Sequence, residues 1–286
     1  MTRLDIDDAQ IRLRRGVRLH VAQAGPADGP PVLLLHGFPD FWIGWRSQIE
    51  ALAGAGYRVV VPDQRGYNTS DKPKGIREYA LPKLLDDVAA LADALGHQRF
   101  HLVGHDWGGI VAWAAGARMP DRLDKLAILN APHPEALFPY AMRSPSQVLR
   151  SSYAAFFQFP ALPEAVLSAR RHALLVRALE RTSRPGTFPP EDIEAYRRAW
   201  ARPGAIGAML NWYRALRFRP RMTERIGVPT LVLWGLRDRA LEPGLAEASL
   251  AYCDDGRLQT FPAATHWIQR EEAAAVNAAL LSFFSG

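Results

Sequence analysis

Six short apolar runs constrain this chain more than anything else in it: VLLL (Val32–Leu35), RVVV (Arg58–Val61), FHLV (Phe100–Val103), LAIL (Leu126–Leu129), TLVLW (Thr230–Trp234) and LQTF (Leu258–Phe261). Each is bounded by turn residues. Short, nearly continuous apolar runs suit parallel strands whose sheet is covered on both faces. The stretches between them supply the covering helices. In Leu81–Leu95, for example, Leu84, Leu85, Val88, Leu91 and Leu95 recur at helical spacing. Two shorter strands should precede the first run, around Ile11–Arg14 and Val17–Ala22, turning at Arg15-Gly16. Strands alternating with helices predict an α/β protein with a doubly wound, mostly parallel sheet.

The alternation stops after Asn130. From about Pro132 to Met222 the sequence is helical, rich in Arg and aromatics, and punctuated by Pro160, Pro163, Pro185, Pro189, Pro190 and Pro203. The strand pattern resumes at Pro229. An insertion between two strands of one sheet predicts a helical cap over the C-terminal edge, where open α/β sheets bind ligands. The expected organisation is a core of residues 1–131 and 223–286 with a cap at 132–222.

Composition narrows the class further. A chain of 286 residues with 48% hydrophobic content can bury a core of this size. Cys253 stands alone, which excludes an internal disulfide and a CxxC zinc or redox motif. The polar start MTRLDIDDAQ is unlike a signal peptide, and no apolar run approaches the roughly 20 residues that span a bilayer. The expectation is a cytoplasmic protein with no membrane partner, as a monomer or homodimer. Of the net charge of +6, the basic share lies between Arg143 and Arg225, with 15 Arg, no Lys and 6 acids. These arginines are scattered among apolar residues, with no basic run and no phosphate-cradling loop. They read as solvated faces of amphipathic helices, not as a nucleic-acid surface.

The stretch VGHDWGG, Val103–Gly109, has the layout of a nucleophile elbow. The run FHLV enters a Gly-x-x-x-Gly turn, Gly104 to Gly108, and the helical pattern IVAWAAGARM leaves it. Such a turn lifts one side chain above the sheet. That side chain is Asp106, where hydrolases of esters and amides usually carry Ser. An acid and then a histidine should follow in chain order. TLVLWGLRD places Asp238 just past one strand, and LQTFPAATHW places His266 just past the last. Singly, such an Asp is more often a turn residue or helix cap, and such a His a packing residue. Together, in this order and at one sheet edge, they predict a triad. His36 in LLLHGFP should shape the turn beside the site. His105 should pack on the opposite side of the elbow. His133 in NAPHP falls near the expected cap hinge without an assigned role.

The carboxylate defines the chemistry. Its attack on a carbonyl would give a mixed anhydride, which gains little. Its attack on an sp³ carbon gives an alkyl ester that activated water can hydrolyse. Asp106 therefore points to displacement at saturated carbon, on an epoxide or a carbon–halogen bond. With an ordinary pKa of about 3.9 it needs no base to become a nucleophile. His266, oriented by Asp238, is left to activate water. The backbone N–H groups of Phe38 and Trp107 are the expected oxyanion donors. No cofactor or metal is called for.

The segments VLLLHGFPDFWIGWR, DQRGYNTSDKP, VGHDWGG, NAPHP, LNWYR and THW together resemble the epoxide hydrolases of the α/β-hydrolase superfamily, from about Val32 to the C-terminus. The resemblance implies the α/β-hydrolase fold, a small apolar epoxide as substrate and a setting in detoxification. It also implies two cap tyrosines that protonate the opening epoxide oxygen. LNWYR (Leu210–Arg214) gives Tyr213, and SSYAAFFQFP gives Tyr153. An alkoxide leaving group needs such an acid and a halide does not. Haloalkane and haloacid dehalogenases, which share the Asp nucleophile, are the alternative. The former usually carry Asn where this chain has Phe38, and haloacetate dehalogenases carry arginines where it has Trp107 and Ile110. A non-catalytic ligand-binding member of the fold is a second alternative, and an intact triad argues against it.

Overall fold

In the computed structural model, which describes residues 6–286, each of the six apolar runs lies in a strand of one eight-stranded sheet. The strands are β1 (Asp7–Arg12), β2 (Arg18–Ala24), β3 (Pro31–Leu35), β4 (Arg58–Pro62), β5 (Phe100–His105), β6 (Leu123–Leu129), β7 (Thr230–Gly235) and β8 (Gly256–Phe261). Their spatial order is β1-β2-β4-β3-β5-β6-β7-β8. β2 runs antiparallel to both of its neighbours, and all later pairings are parallel.

The first strand corrects the sequence reading. It ends at Arg12 and not at Arg14, and the hairpin turns through Leu13–Gly16. Leu13 N–H bonds the Val17 carbonyl and Gly16 N–H bonds the Leu13 carbonyl, both at 2.8 Å, with Gly16 at φ +86°. β1 is an edge strand with mostly exposed, polar residues, DDAQIR, so it carries no apolar run to reveal it.

Period-two alternation divides the strand residues between two buried layers. Leu33, Leu35, Val60, Leu102, Ile128 and Val232 face the helices Leu81–Ala94 and Trp107–Arg118. Val32, Leu34, Val59, Val61, Val103 and Leu233 face the helices Arg46–Gly54 and Ala273–Ser285. The central strands are thus dry on both faces, while the edge strands β1 and β8 are largely exposed.

Between β6 and β7 the described chain forms helices and no strand: Pro134–Ala141, Pro145–Arg150, Ser152–Phe156, Leu162–Thr182, Pro190–Trp200 and Ala205–Arg214. The fourth of these is interrupted at Ala169–His172, where Arg170, Arg171 and His172 take left-handed backbone angles. This helical segment sits on the loops that follow β3 and β4. Trp200 Nε1 donates to the Pro39 carbonyl at 2.7 Å, and Trp212 Nε1 donates to the Arg65 carbonyl at 3.1 Å. No helix among the described residues is long and apolar enough to cross a membrane.

Candidate active site

β5 ends at His105 and the helix Trp107–Arg118 starts at once, leaving Asp106 alone in the turn at φ +50°, ψ −119°. A non-Gly residue held in such a conformation costs on the order of 1–3 kcal/mol and persists only where its surroundings fix it. Here the glycines of the turn allow the tight passage. A Cβ on Gly104 would lie 2.3 Å from the Gly108 carbonyl oxygen. Gly37 serves the same end from the facing loop, since a Cβ there would lie 2.4 Å from Asp106 Oδ1. Its absence lets the next amide approach, and Phe38 N–H donates to Asp106 Oδ1 at 2.8 Å. The adjacent Trp107 amide also favours the charged carboxylate. Burial pushes the Asp106 pKa up, while the charge of His266 and these two amides hold it back.

His266 joins the two acids. Its Nδ1 lies 2.7 Å from Asp238 Oδ2, and its Nε2 lies 3.6 Å from Asp106 Oδ2. Burial alone would favour the neutral ring. The charge and hydrogen bond of Asp238, then the charge of Asp106, outweigh it and push His266 up to about 9. For Asp238, burial is opposed by the His266 charge and by a full set of donors, which hold it below the usual carboxylate range. Those donors are the amides of Ala240 (2.7 Å) and Leu241 (3.0 Å) on Oδ1, and Asn130 Nδ2 (2.7 Å) on Oδ2.

Asn130 went unassigned at the sequence level. It follows β6 at φ +40°, and its Oδ1 accepts the Gly235 N–H at 2.9 Å, so one side chain ties the acid loop to the neighbouring strand end. The sequence signal was an Asn directly after an apolar run, a residue that tolerates left-handed angles at the same sheet edge as the triad.

The tyrosines come from the helical segment. Tyr153 lies on Ser152–Phe156 and Tyr213 on Ala205–Arg214, with ring centres 5.9 Å apart. The Tyr213 ring also meets Trp107 at 4.9 Å and Phe38 at 5.3 Å, both edge-on. Tyr153 keeps 39% of its surface exposed, yet its hydroxyl is desolvated. Burial and the nearby Asp106 charge push its pKa up, and burial with the Tyr153 and Asp106 charges does the same for Tyr213. Both phenols are therefore held in the protonated form beside the carboxylate. Arg214, also unassigned from sequence, brings the two together. It donates to the carbonyls of Phe157 (2.9 Å) and Phe159 (2.7 Å), just past the Tyr153 helix, and pairs with Glu164 at 2.6 Å.

The three other histidines singled out in the sequence have structural partners. His36 Nε2 accepts the Gln64 amide at 3.0 Å and so shapes its turn, as expected. His105 packs against Trp45, His266 and Trp267 behind the base. Its Nε2 donates to the His266 carbonyl at 2.8 Å, since a carbonyl oxygen can only accept, and burial lowers the pKa of the ring. His133 caps the helix Pro134–Ala141, accepting the Glu135 amide at 3.2 Å, and stacks on Tyr252 at 4.1 Å. Burial lowers its pKa to about 4.

A carboxylate held by two amides, a histidine oriented by a second acid and two protonated phenols thus converge at the C-terminal edge of the sheet. The profile of one family, described as alpha/beta hydrolase fold, matches residues 30–273. The chain belongs to the alpha/beta hydrolase family. This alpha/beta hydrolase is 45% identical over 271 residues to the AB hydrolase superfamily protein YfhM of Bacillus subtilis, covering 94% of each chain. It is 37% identical to human Epoxide hydrolase 4, covering 94% of this chain and 76% of that protein. In three dimensions it is similar to an epoxide hydrolase of Bacillus megaterium solved with an inhibitor, at a TM-score of 0.89 and 28% identity, over 97% of this chain and 100% of the other. Within the family this hydrolase stands among the epoxide hydrolases.

Proposed function

We propose that this enzyme hydrolyses small apolar epoxides to vicinal diols through a covalent ester on Asp106. The observation that carries the reading is the pair of desolvated phenols, Tyr153 and Tyr213, beside a carboxylate nucleophile. A halide leaves as a weak base and has no use for two acids; an opening epoxide becomes an alkoxide and needs one. The helical segment 132–222 acts as the cap that brings the phenols over the nucleophile. The aromatic wall of Phe38, Trp107 and Phe157 around Tyr213 favours an apolar substrate.

The geometry divides the work of the two carboxylate oxygens. Asp106 Oδ1 is held by the Phe38 amide, so Oδ2, on the His266 side, is the attacking atom. It forms a bond to one epoxide carbon as the carbon–oxygen bond breaks, and the departing oxygen takes the proton of Tyr153 or Tyr213. Oδ1 becomes the ester carbonyl oxygen. When water attacks the ester carbon, His266 Nε2 accepts a water proton. The Phe38 and Trp107 amides then stabilise the charge that develops on Oδ1. Collapse breaks the bond between the Asp106 carboxyl carbon and Oδ2, the leaving oxygen takes the proton from His266, and the diol departs. The proton left on the new Asp106 carboxyl restores the phenol through solvent.

The resting charge of His266 follows from the same scheme. Its pKa is raised to about 9 partly by the Asp106 charge. Esterification removes that charge, so His266 gives up its proton more readily once the ester exists. Alkylation itself readies the base. Because the neutral ring is the active form, ester decay should rise with pH and level off with a midpoint below about 9. Stopped-flow decay of the intermediate across pH 6–10 measures it. A midpoint at or above the free-enzyme value would contradict this coupling.

The origin of the added oxygen tests the nucleophile. In a single turnover in ¹⁸O-water with enzyme in excess, the first diol should be mostly unlabelled, since its new oxygen comes from Asp106. Label found mainly in that diol would mean direct attack by water.

A further inference from the structure

The segment Thr265–Glu272 carries His266, and the helical cap grips it in two places, around Glu271 and at Arg270. The Glu271 carboxylate is wholly buried. It accepts from the Thr265 amide at 2.8 Å and the Thr265 hydroxyl at 2.7 Å, the residue immediately before His266. It also accepts from the cap, through the Arg184 amide at 2.7 Å and the Thr187 hydroxyl at 3.3 Å. The Arg184 guanidinium reaches the Glu271 carbonyl and pairs with Glu272 at 2.7 Å.

Arg270 makes the second grip. Its Nη1 donates to Asp192 at 2.7 Å and its Nη2 to the Tyr196 hydroxyl at 3.1 Å, both on the helix Pro190–Trp200. The guanidinium lies over the Phe188 ring at 4.7 Å. The Tyr196 hydroxyl in turn donates to Asp40 at 2.6 Å, on the loop that carries Phe38. The cap therefore holds the segment of the base and reaches the loop of an oxyanion donor.

We propose that this double clasp couples cap seating to ester hydrolysis, with Glu271 and Arg270 as positioning residues for His266. The proposal rests on the reading that Asp106 is alkylated and His266 serves only the hydrolytic step. Alkylation uses Asp106 and the phenols and is indifferent to the aim of the imidazole. Hydrolysis is not, since displacement of a reacting group by about 1 Å costs on the order of 10²-fold in rate. Opening of the cap removes Arg184, Thr187, Asp192 and Tyr196 from the His266 segment together. Water is then activated efficiently only beneath a seated cap, where the ester is also shielded.

The test separates the two chemical steps. In Glu271→Ala, quenched-flow with intact-protein mass spectrometry should show alkylation of Asp106 at the wild-type rate. Decay of the ester should be about 10- to 100-fold slower. The ester should accumulate during turnover, and kcat and KM should fall together, because capture of the epoxide is untouched. Glu271→Gln keeps one oxygen as acceptor for the Arg184 amide and the Thr265 hydroxyl but turns an NH2 towards the Thr265 amide, so it should recover only part of the loss. Tyr196→Phe trims one hydroxyl and keeps its ring, so it carries the same test should Glu271→Ala fail to fold. It removes the hydroxyl's bonds to Arg270 and Asp40, and ester decay should slow by about 3- to 10-fold. A lowered Tm with unchanged step rates, or equal slowing of both steps, would overturn the clasp. If His266→Gln carries no ester either, the two-step mechanism has failed and not the clasp.

Discussion

His266→Gln is expected to react once and stop. The Phe38 and Trp107 amides still favour the Asp106 carboxylate, so alkylation proceeds, slowed only by loss of the imidazolium charge, but the water that should cleave the ester has no base within reach. Hydrolysis should slow by about 10²–10⁴, the usual worth of a positioned acid–base group. Intact-protein mass spectrometry after incubation with an epoxide should show one substrate mass added, on the peptide that contains Asp106. No adduct, in conditions where wild type forms diol, would rule out the ester. Asp238→Asn should slow the same step. Asp238 holds the His266 Nδ1 at 2.7 Å, and an amide there takes away both the orienting charge and the choice of tautomer.

The second large effect belongs to the phenols. Tyr153→Phe with Tyr213→Phe should cost about 10²–10⁴ in alkylation by epoxide. Each single change should cost less than half of the double effect in free energy, because the remaining hydroxyl takes over part of the role. Folding should survive, since Phe fills nearly the same space and neither hydroxyl anchors the fold. The Tyr213 helix is held instead by Arg214 and by Trp212 Nε1 on the Arg65 carbonyl. Tryptophan fluorescence in the pre-steady state follows the step, with Trp107 beside Asp106 as reporter. Near-wild-type alkylation in the double variant would reduce both tyrosines to packing and return the chemistry to dehalogenation or another acid.

The sheet was legible in the sequence because each buried strand writes itself twice, as an apolar run and as an interval filled by helical spacing. The triad was legible because its members sit at the ends of those runs, in chain order. The edge strand Asp7–Arg12 was misplaced because exposure removes its apolar signal. The break at Ala169–His172 left no trace, since alanine and arginine are good helix formers and nothing local announces left-handed angles. Asn130, Arg214 and Glu271 were missed for another reason. Each is a single polar residue whose partners lie far away in the chain, Asn130 on Asp238, Arg214 on Glu164 and Glu271 on Arg184. A polar residue in a loop or helix has many local uses, and only the folded arrangement picks out the distant one.

Arg214 has a consequence for how such a pocket diversifies. It fastens the Tyr213 helix to the carbonyls just past the Tyr153 helix, so both proton donors ride on one unit. The acid is then a property of the unit and of neither residue alone. Tilting or sliding that unit over Asp106 would fit a bulkier or narrower epoxide and keep the two hydroxyls matched to one oxygen. Random change around the pocket can thus explore substrate shape at constant leaving-group chemistry, provided that the arginine and its acceptors stay in place.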